Sequence, residues 1–235
     1  MEMTPEINQM LQEIFIQQGN QEKALKLERF RRLNPLVKKG QILFCGSSLM
    51  EQFPIHELLW EAGSPLVIYN RGVGGFTTAE MAQALEPCVF QLEPRHIFIN
   101  IGTNDLNGPD YALEGLMARY QGILDQIKSR LPEARLHLLA YYPVNEKIGL
   151  ANPNMAEVFR HRTNARIAQA NQGVQALAEK NAAGFHDFNA CIADSEGNMK
   201  AQYTIEGMHM YPDGYRRIFQ AMLPILEQAG QDCGP

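Results

Sequence analysis

A chain of 235 residues, 45% hydrophobic and 20% charged, has the length and composition of a soluble globular protein with a sizeable core. Its net charge of −5 counts against nucleic acid as a partner, which would call for a basic excess. Four cysteines, at 45, 88, 191 and 233, show no CxxC and no paired spacing, which speaks against a disulfide framework or a thiolate metal site.

The opening stretch, MEMTPEINQMLQEIF, has neither a basic leader nor a long apolar run, and no later segment approaches a membrane span. A reduced, cytoplasmic compartment is the default expectation. Thr4-Pro5-Glu6 reads as a helix start: a capping hydroxyl, a proline in the first turn and an acid near the positive end of the dipole. Ile7, Met10, Leu11, Ile14 and Phe15 follow helical spacing until Gly19-Asn20, where a break is predicted. A second helix is predicted from about Gln21 to Leu33, ahead of Asn34-Pro35. The two form an appendage at about 4–33 on one domain spanning 1–235. Their apolar stripe needs cover; packing on the same chain is the simpler expectation, and a homodimer stays open. The basic run from Lys23 to Lys39 is interrupted by Glu28 and preceded by Glu22. It reads as a solvated helical face rather than a membrane patch.

From Gln41 onward the pattern alternates. Short β-rich runs fall at 42–45, 66–69, 97–101, 136–141 and 184–188. Helical stretches are predicted at about 49–61, 78–92, 110–130, 154–181 and from about Pro212 to Gln228. The second of these opens on a capping box, Thr77-Thr78-Ala79-Glu80. Near-continuous apolar strands alternating with helices predict a parallel sheet covered on both faces, an α/β fold. No repeat, low-complexity tract or dividing linker interrupts it.

In open α/β sheets ligands bind beyond the carboxyl ends of the strands, where strand order reverses. The first strand delivers Gly46-Ser47-Ser48, the second NRGVGGFTT (70–78), the third GTND (102–105) and the fourth Tyr141-Tyr142-Pro143. The fifth leads through a long loop to EGMHMYPDGY (206–215). With the order 2-1-3-4-5, the first three sets share one crevice. Each has a plain alternative: the glycines could serve only a tight turn, and Asn104-Asp105 could be a local cap. His56, His96, His137, His161 and His186 fall at predicted helix or strand positions, where structural roles are expected. His209 alone sits in an irregular loop before the last helix. Histidines and cysteines lack ligand spacing, so neither metal nor cofactor is expected.

Taken together, the sets meet the needs of acyl transfer. A serine hydroxyl needs a neighbouring base to take its proton, and His209 is the best-placed candidate. The oxyanion needs pre-aimed donors, which the Gly75 backbone N–H and the Asn104 amide could supply. An acid three residues before the histidine, Glu206, could hold the other imidazole nitrogen. Tyr141, Tyr142 and Phe76 could line a pocket or simply pack.

Four blocks in order, FCGSS, NRGVGG, GTND and EGMH, resemble the signature of the SGNH (GDSL-type) hydrolase family. The likeness is to its bacterial platelet-activating-factor-acetylhydrolase-like esterases, and it runs from Gln41 to about Gln228. The resemblance implies a flavodoxin-like three-layer α/β/α sandwich with a five-stranded parallel sheet. It implies Ser48 as nucleophile, His209 as base, and the Ser48 N–H, Gly75 N–H and Asn104 amide as oxyanion hole. The substrate implied is a small acyl ester. Two positions depart from the pattern: Ser47 stands where the family has aspartate, and Glu206 replaces the aspartate of the D-x-x-H block. Glu206 is the preferred third member. A Ser-His dyad, or an acid from Asp187, Asp194 or Asp213, stays open. The competing hypothesis is a catalytically degenerate SGNH-fold binding module, whose glycine turn could cradle an anion. The absence of G-x-G-x-x-G and of a Walker lysine counts against nucleotide binding.

Overall fold

The computed structural model describes residues 5–233. In chain order its elements are α1 (Pro5–Leu33), β1 (Ile42–Gly46), α2 (Ser48–Glu51), α3 (Ile55–Glu61), β2 (Ile68–Gly72), α4 (Thr78–Gln83) and α5 (Leu85–Cys88). There follow β3 (His96–Asn100), α6 (Leu113–Arg130), β4 (Arg135–Leu139), α7 (Glu146–Ala151), α8 (Ala156–Phe159), α9 (Asn164–Lys180), β5 (Gly184–His186) and α10 (Pro212–Gln231). The strands form one parallel sheet in the order β2-β1-β3-β4-β5. This is the predicted topology, and it puts the reversal of strand order at β1.

β1 and β3 are buried along their whole length, and both read as apolar runs, with His96 and Asn100 at the two ends of β3 as the buried polar residues. Leu43, Cys45, Ile97 and Ile99 join one core with Leu116, Tyr120 and Ile123 of α6 and Val174 of α9. Ile42, Phe44 and Phe98 join the other with Leu58 and Leu59 of α3 and Ile218 and Met222 of α10. Each such aliphatic side chain contributes about 1.5–3 kcal/mol by leaving water. The result is three layers, helices on both faces of the sheet. Among the described residues no helix is long and apolar enough to cross a membrane.

One row of polar side chains crosses this sheet. His96 Nδ1 lies 3.0 Å from His137 Nε2, and His137 Nδ1 lies 2.9 Å from His186 Nε2. The three rings thus form a ladder over β3, β4 and β5, and the His137 ring stacks on Phe98 at 4.2 Å. The predicted structural roles of these histidines are realised there.

Several boundaries differ from the sequence reading. α1 runs unbroken through Gly19, whose penalty of about 1 kcal/mol is small against the other residues of a 29-residue helix. The capping Thr4 lies outside the described residues. Ile7, Met10, Ile14 and Phe15 stay 42–67% exposed, so most of this stripe faces outward among the described residues. Docking is made by the second half of the helix. Arg71 stacks on Phe30 at 4.9 Å and donates to Asn34, which in turn donates to the Pro87 carbonyl. The basic run is therefore not a plain solvated face: Lys23 pairs with Glu80 and Lys26 with Glu51.

The helix predicted at 49–61 divides into α2 and α3 around Pro54, and that at 78–92 shortens into α4, α5 and a 3-10 turn. The stretch 154–181 is also not one helix. Thr163 caps a new one, its hydroxyl accepting the Arg166 N–H at 3.2 Å, and the turn before it holds Arg162. β2 lies further along than 66–69: Ile68–Gly72 pairs residue for residue with Ile42–Gly46 of β1, and Asn70 within it donates to the Met50 carbonyl and accepts the Gly72 N–H.

Candidate active site

Four segments meet at the carboxyl edge of the sheet. Gly46 ends β1 at φ 149, where a Cβ would strike the Asn100 carbonyl oxygen, and the chain turns sharply into α2. Ser48 is the first residue of that helix. Ser47, before it, is fully buried with its hydroxyl unpartnered. The turn is made by its backbone carbonyl, which accepts the Met50 and Glu51 N–H groups.

The loop ahead of α10 is a tight fold-back. Thr204 and Met210 form an antiparallel bridge, the Ile205 N–H donates to the His209 carbonyl, and the Thr204 hydroxyl accepts the Gly207 N–H. Gly207 sits at φ 105 with no room for a Cβ between Phe159 and the Asn145 carbonyl. This anchoring presents His209 to Ser48: the serine hydroxyl lies 2.9 Å from Nε2. On the other side of the ring, Nδ1 lies 2.5 Å from Glu206 Oε1, which also accepts the His209 backbone N–H at 3.2 Å. A carboxylate can only accept, so Nδ1 carries the proton and Nε2 is free to receive the serine's. The extra methylene of Glu206 is absorbed by folding the side chain back over its own turn. Burial acts to raise the Glu206 carboxyl, but the hydrogen bond and charge of His209 outweigh it and hold the acid below its usual range.

Two of the other acids are engaged elsewhere. Asp187 accepts the Asn189 N–H, and Asp194 accepts the N–H groups of Glu196 and Asn198. Asp213 lies in the first turn of α10.

Gly75 occupies a left-handed φ of 75° in the turn after β2. Among the described residues neither its N–H nor that of Ser48 donates a hydrogen bond within the chain. Asn104 lies in the 3-10 turn after β3; its Nδ2 donates to the Phe76 carbonyl at 2.9 Å, which uses one of two amide hydrogens. Its neighbour Asp105 has a different task. The Asp105 carboxylate accepts the Thr78 N–H and hydroxyl and pairs with Arg119, so it caps α4 and ties the asparagine turn to the glycine turn.

Two contributors escaped sequence reasoning. Glu51 accepts the Gly74 N–H at 2.6 Å and pairs with Lys26 at 2.5 Å. Arg162, only 2% exposed, reaches Asn104 Oδ1 with Nη2 at 2.8 Å. A capping residue inside a long helical pattern, Thr163, was the available sign of a turn there. Tyr141, Tyr142 and Phe76 are all buried, and the Tyr141 hydroxyl donates to the Ile101 carbonyl beside Gly102. Packing is what these three do.

Comparison with known proteins places the chain in a family. Residues 54–217 match the GDSL-like Lipase/Acylhydrolase family, a span that begins just after Ser48. The alpha2 subunit of platelet-activating factor acetylhydrolase IB from Rattus norvegicus is 25% identical over 193 residues, covering 81% of this chain and 78% of the relative. A Streptococcus pneumonia structure described as a candidate platelet activating factor superposes with a TM-score of 0.83 at 27% identity, over 92% of this chain and 98% of its own. A GDSL-like lipase from Bacteroides thetaiotaomicron shares the fold, with a TM-score of 0.70 at 20% identity over 86% and 98%. With 164 of its residues matched, a five-stranded parallel sheet in the family's order and its strand ends converging on one crevice, the chain belongs to the GDSL-like lipase/acylhydrolase family and is a carboxylic ester hydrolase.

Proposed function

We propose that the protein is a serine esterase that cleaves a small acyl ester through an acyl-enzyme on Ser48. The observation that carries this reading is the hydrogen-bonded line from Ser48 through His209 to Glu206. As Ser48 Oγ attacks the ester carbonyl, its proton passes to His209 Nε2, and Glu206 stabilises the imidazolium that forms. The carbonyl oxygen becomes an oxyanion held by the Ser48 and Gly75 N–H groups and the second Asn104 amide hydrogen. Collapse expels the alcohol, which takes the proton from Nε2. A water then repeats the sequence and frees the acid and Ser48.

The relatives named as acetylhydrolases support acetyl as the acyl group. The experiment is labelling with a fluorophosphonate at pH 8, followed by peptide mapping and hydrolysis of p-nitrophenyl acetate. The expected result is one adduct on Ser48 and no turnover by Ser48→Ala. Folded protein that takes no label would favour the degenerate binding module.

A further inference from the structure

We infer that Arg162 is a positioning residue for the oxyanion hole: it locks the Asn104 amide with its nitrogen toward the substrate and polarises it as negative charge develops. This rests on the assignment of Asn104 as an oxyanion donor made above.

The guanidinium is buried in the turn between α8 and α9, far from the serine in sequence. A buried cation is ordinarily matched by a carboxylate, since leaving it unpaired costs several kcal/mol. Among the described residues no carboxylate lies within 4 Å of Arg162. Its partners are neutral: Nε donates to Asn107 Oδ1 at 2.7 Å, Nη2 to Asn104 Oδ1 at 2.8 Å, and Nη1 faces the Met208 sulfur. Burial depresses its pKa to about 10, with the Glu206 charge acting the other way, so it remains a cation at neutral pH.

Three consequences follow for the site. Arginine has donors and no acceptors, so Asn104 must turn its oxygen toward Nη2 and its NH2 the other way. A flipped amide would set donor against donor. Second, a charged donor on the amide oxygen strengthens the N–H bonds that the amide makes in turn. Third, Arg162 touches both Asn104 and Met208, the residue before His209, and so spaces the asparagine turn against the histidine loop.

The test is steady-state hydrolysis of p-nitrophenyl acetate by Arg162→Met and Arg162→Lys, each in wild-type and Asn104→Ala backgrounds. Arg162→Met is expected to lower kcat about 10- to 100-fold with KM changed less than about 3-fold, a smaller loss than deleting the donor itself. Lysine keeps the charge but cannot grip both asparagines, so Arg162→Lys should fall between Met and wild type. In the Asn104→Ala background the Met variant should cost several-fold less than in the wild-type background, because most of its effect runs through that amide. An unchanged kcat in Arg162→Met, or an equal loss in both backgrounds, overturns the inference. If Arg162→Met does not fold, a wild-type kcat in Arg162→Lys overturns it. Failure of the wild-type enzyme to take a fluorophosphonate on Ser48 would instead sink the underlying assignment, so the two failures are distinct.

Discussion

The Glu51 carboxylate joins the helix that begins at Ser48 to the glycine turn after β2, accepting the Gly74 N–H at 2.6 Å while Lys26 of α1 holds its other oxygen at 2.5 Å. A single acid thus couples the candidate nucleophile, the adjacent Gly75 and the N-terminal helix. Glu51→Ala removes a charge-assisted bond worth about 1.5–3 kcal/mol. For a chain of this size that corresponds to a fall in Tm of roughly 3–12 °C, and kcat should drop with it as Gly75 loses its fixed position. Thermal unfolding and kcat measured together check this. Lys26→Met, which loses only a partly exposed ion pair, should lower Tm by much less.

Asn104→Ala should lower kcat by about 100- to 1000-fold with little change in KM, as for loss of one oxyanion donor. It also strips the acceptor from Arg162 Nη2, so a loss of stability should accompany it. An unchanged kcat would remove Asn104 from the oxyanion hole.

Glu206→Gln replaces an acceptor that fixes the His209 tautomer with an amide that can also donate to Nδ1. The expected loss in kcat at neutral pH is on the order of 10³- to 10⁴-fold. Because His209 holds the Glu206 carboxyl below its usual range, this acid stays ionised throughout pH 5–8 and contributes no acid limb of its own there. Activity of the Gln variant near wild type would point to a Ser48-His209 dyad.

What the sequence disclosed of this molecule was set by how local the signal is. Strands buried on both faces are mostly apolar, so β1 and β3 were legible as runs, and with them the sheet and its crevice. The four strand-end blocks were legible because each packs its chemistry into a few adjacent residues. Glu51 and Arg162 were not, because their partners lie 23 and 58 residues away and nothing beside them marks their burial. The predicted break at Gly19 failed for the opposite reason: a local rule was outweighed by the rest of a long helix. The division of 154–181 was missed because Thr163 sits within an otherwise helical pattern.

The histidine ladder makes stability fall in acid. Burial, together with the neighbouring His186 and His96, pushes His137 down to about 3, and burial lowers His96 and His186 as well. Around His96 stand Asp232, its carboxylate 3.4 Å from Nε2, and Arg135, which pairs with Asp232 at 2.6 Å. In the neutral ladder each ring can donate from Nε2 to the Nδ1 of the next, running toward Asp232. With these tautomers, a proton added to His137 or His96 sets two N–H groups against each other. These folded-state values lie below the ordinary 6.5, so the unfolded chain binds more protons than the native one as pH drops. The stabilisation is complete above about pH 6.5 and is lost progressively as pH falls toward the folded values. For His137 alone the slope approaches about 1.4 kcal/mol per pH unit. Urea unfolding at pH 7.5 and 5.5 should therefore show a marked loss at the lower pH. His137→Phe keeps a ring on Phe98 and removes the central titrating group, so its pH dependence should be shallower by about one proton. An equal pH slope in the wild type and this variant would show that the ladder does not set acid stability.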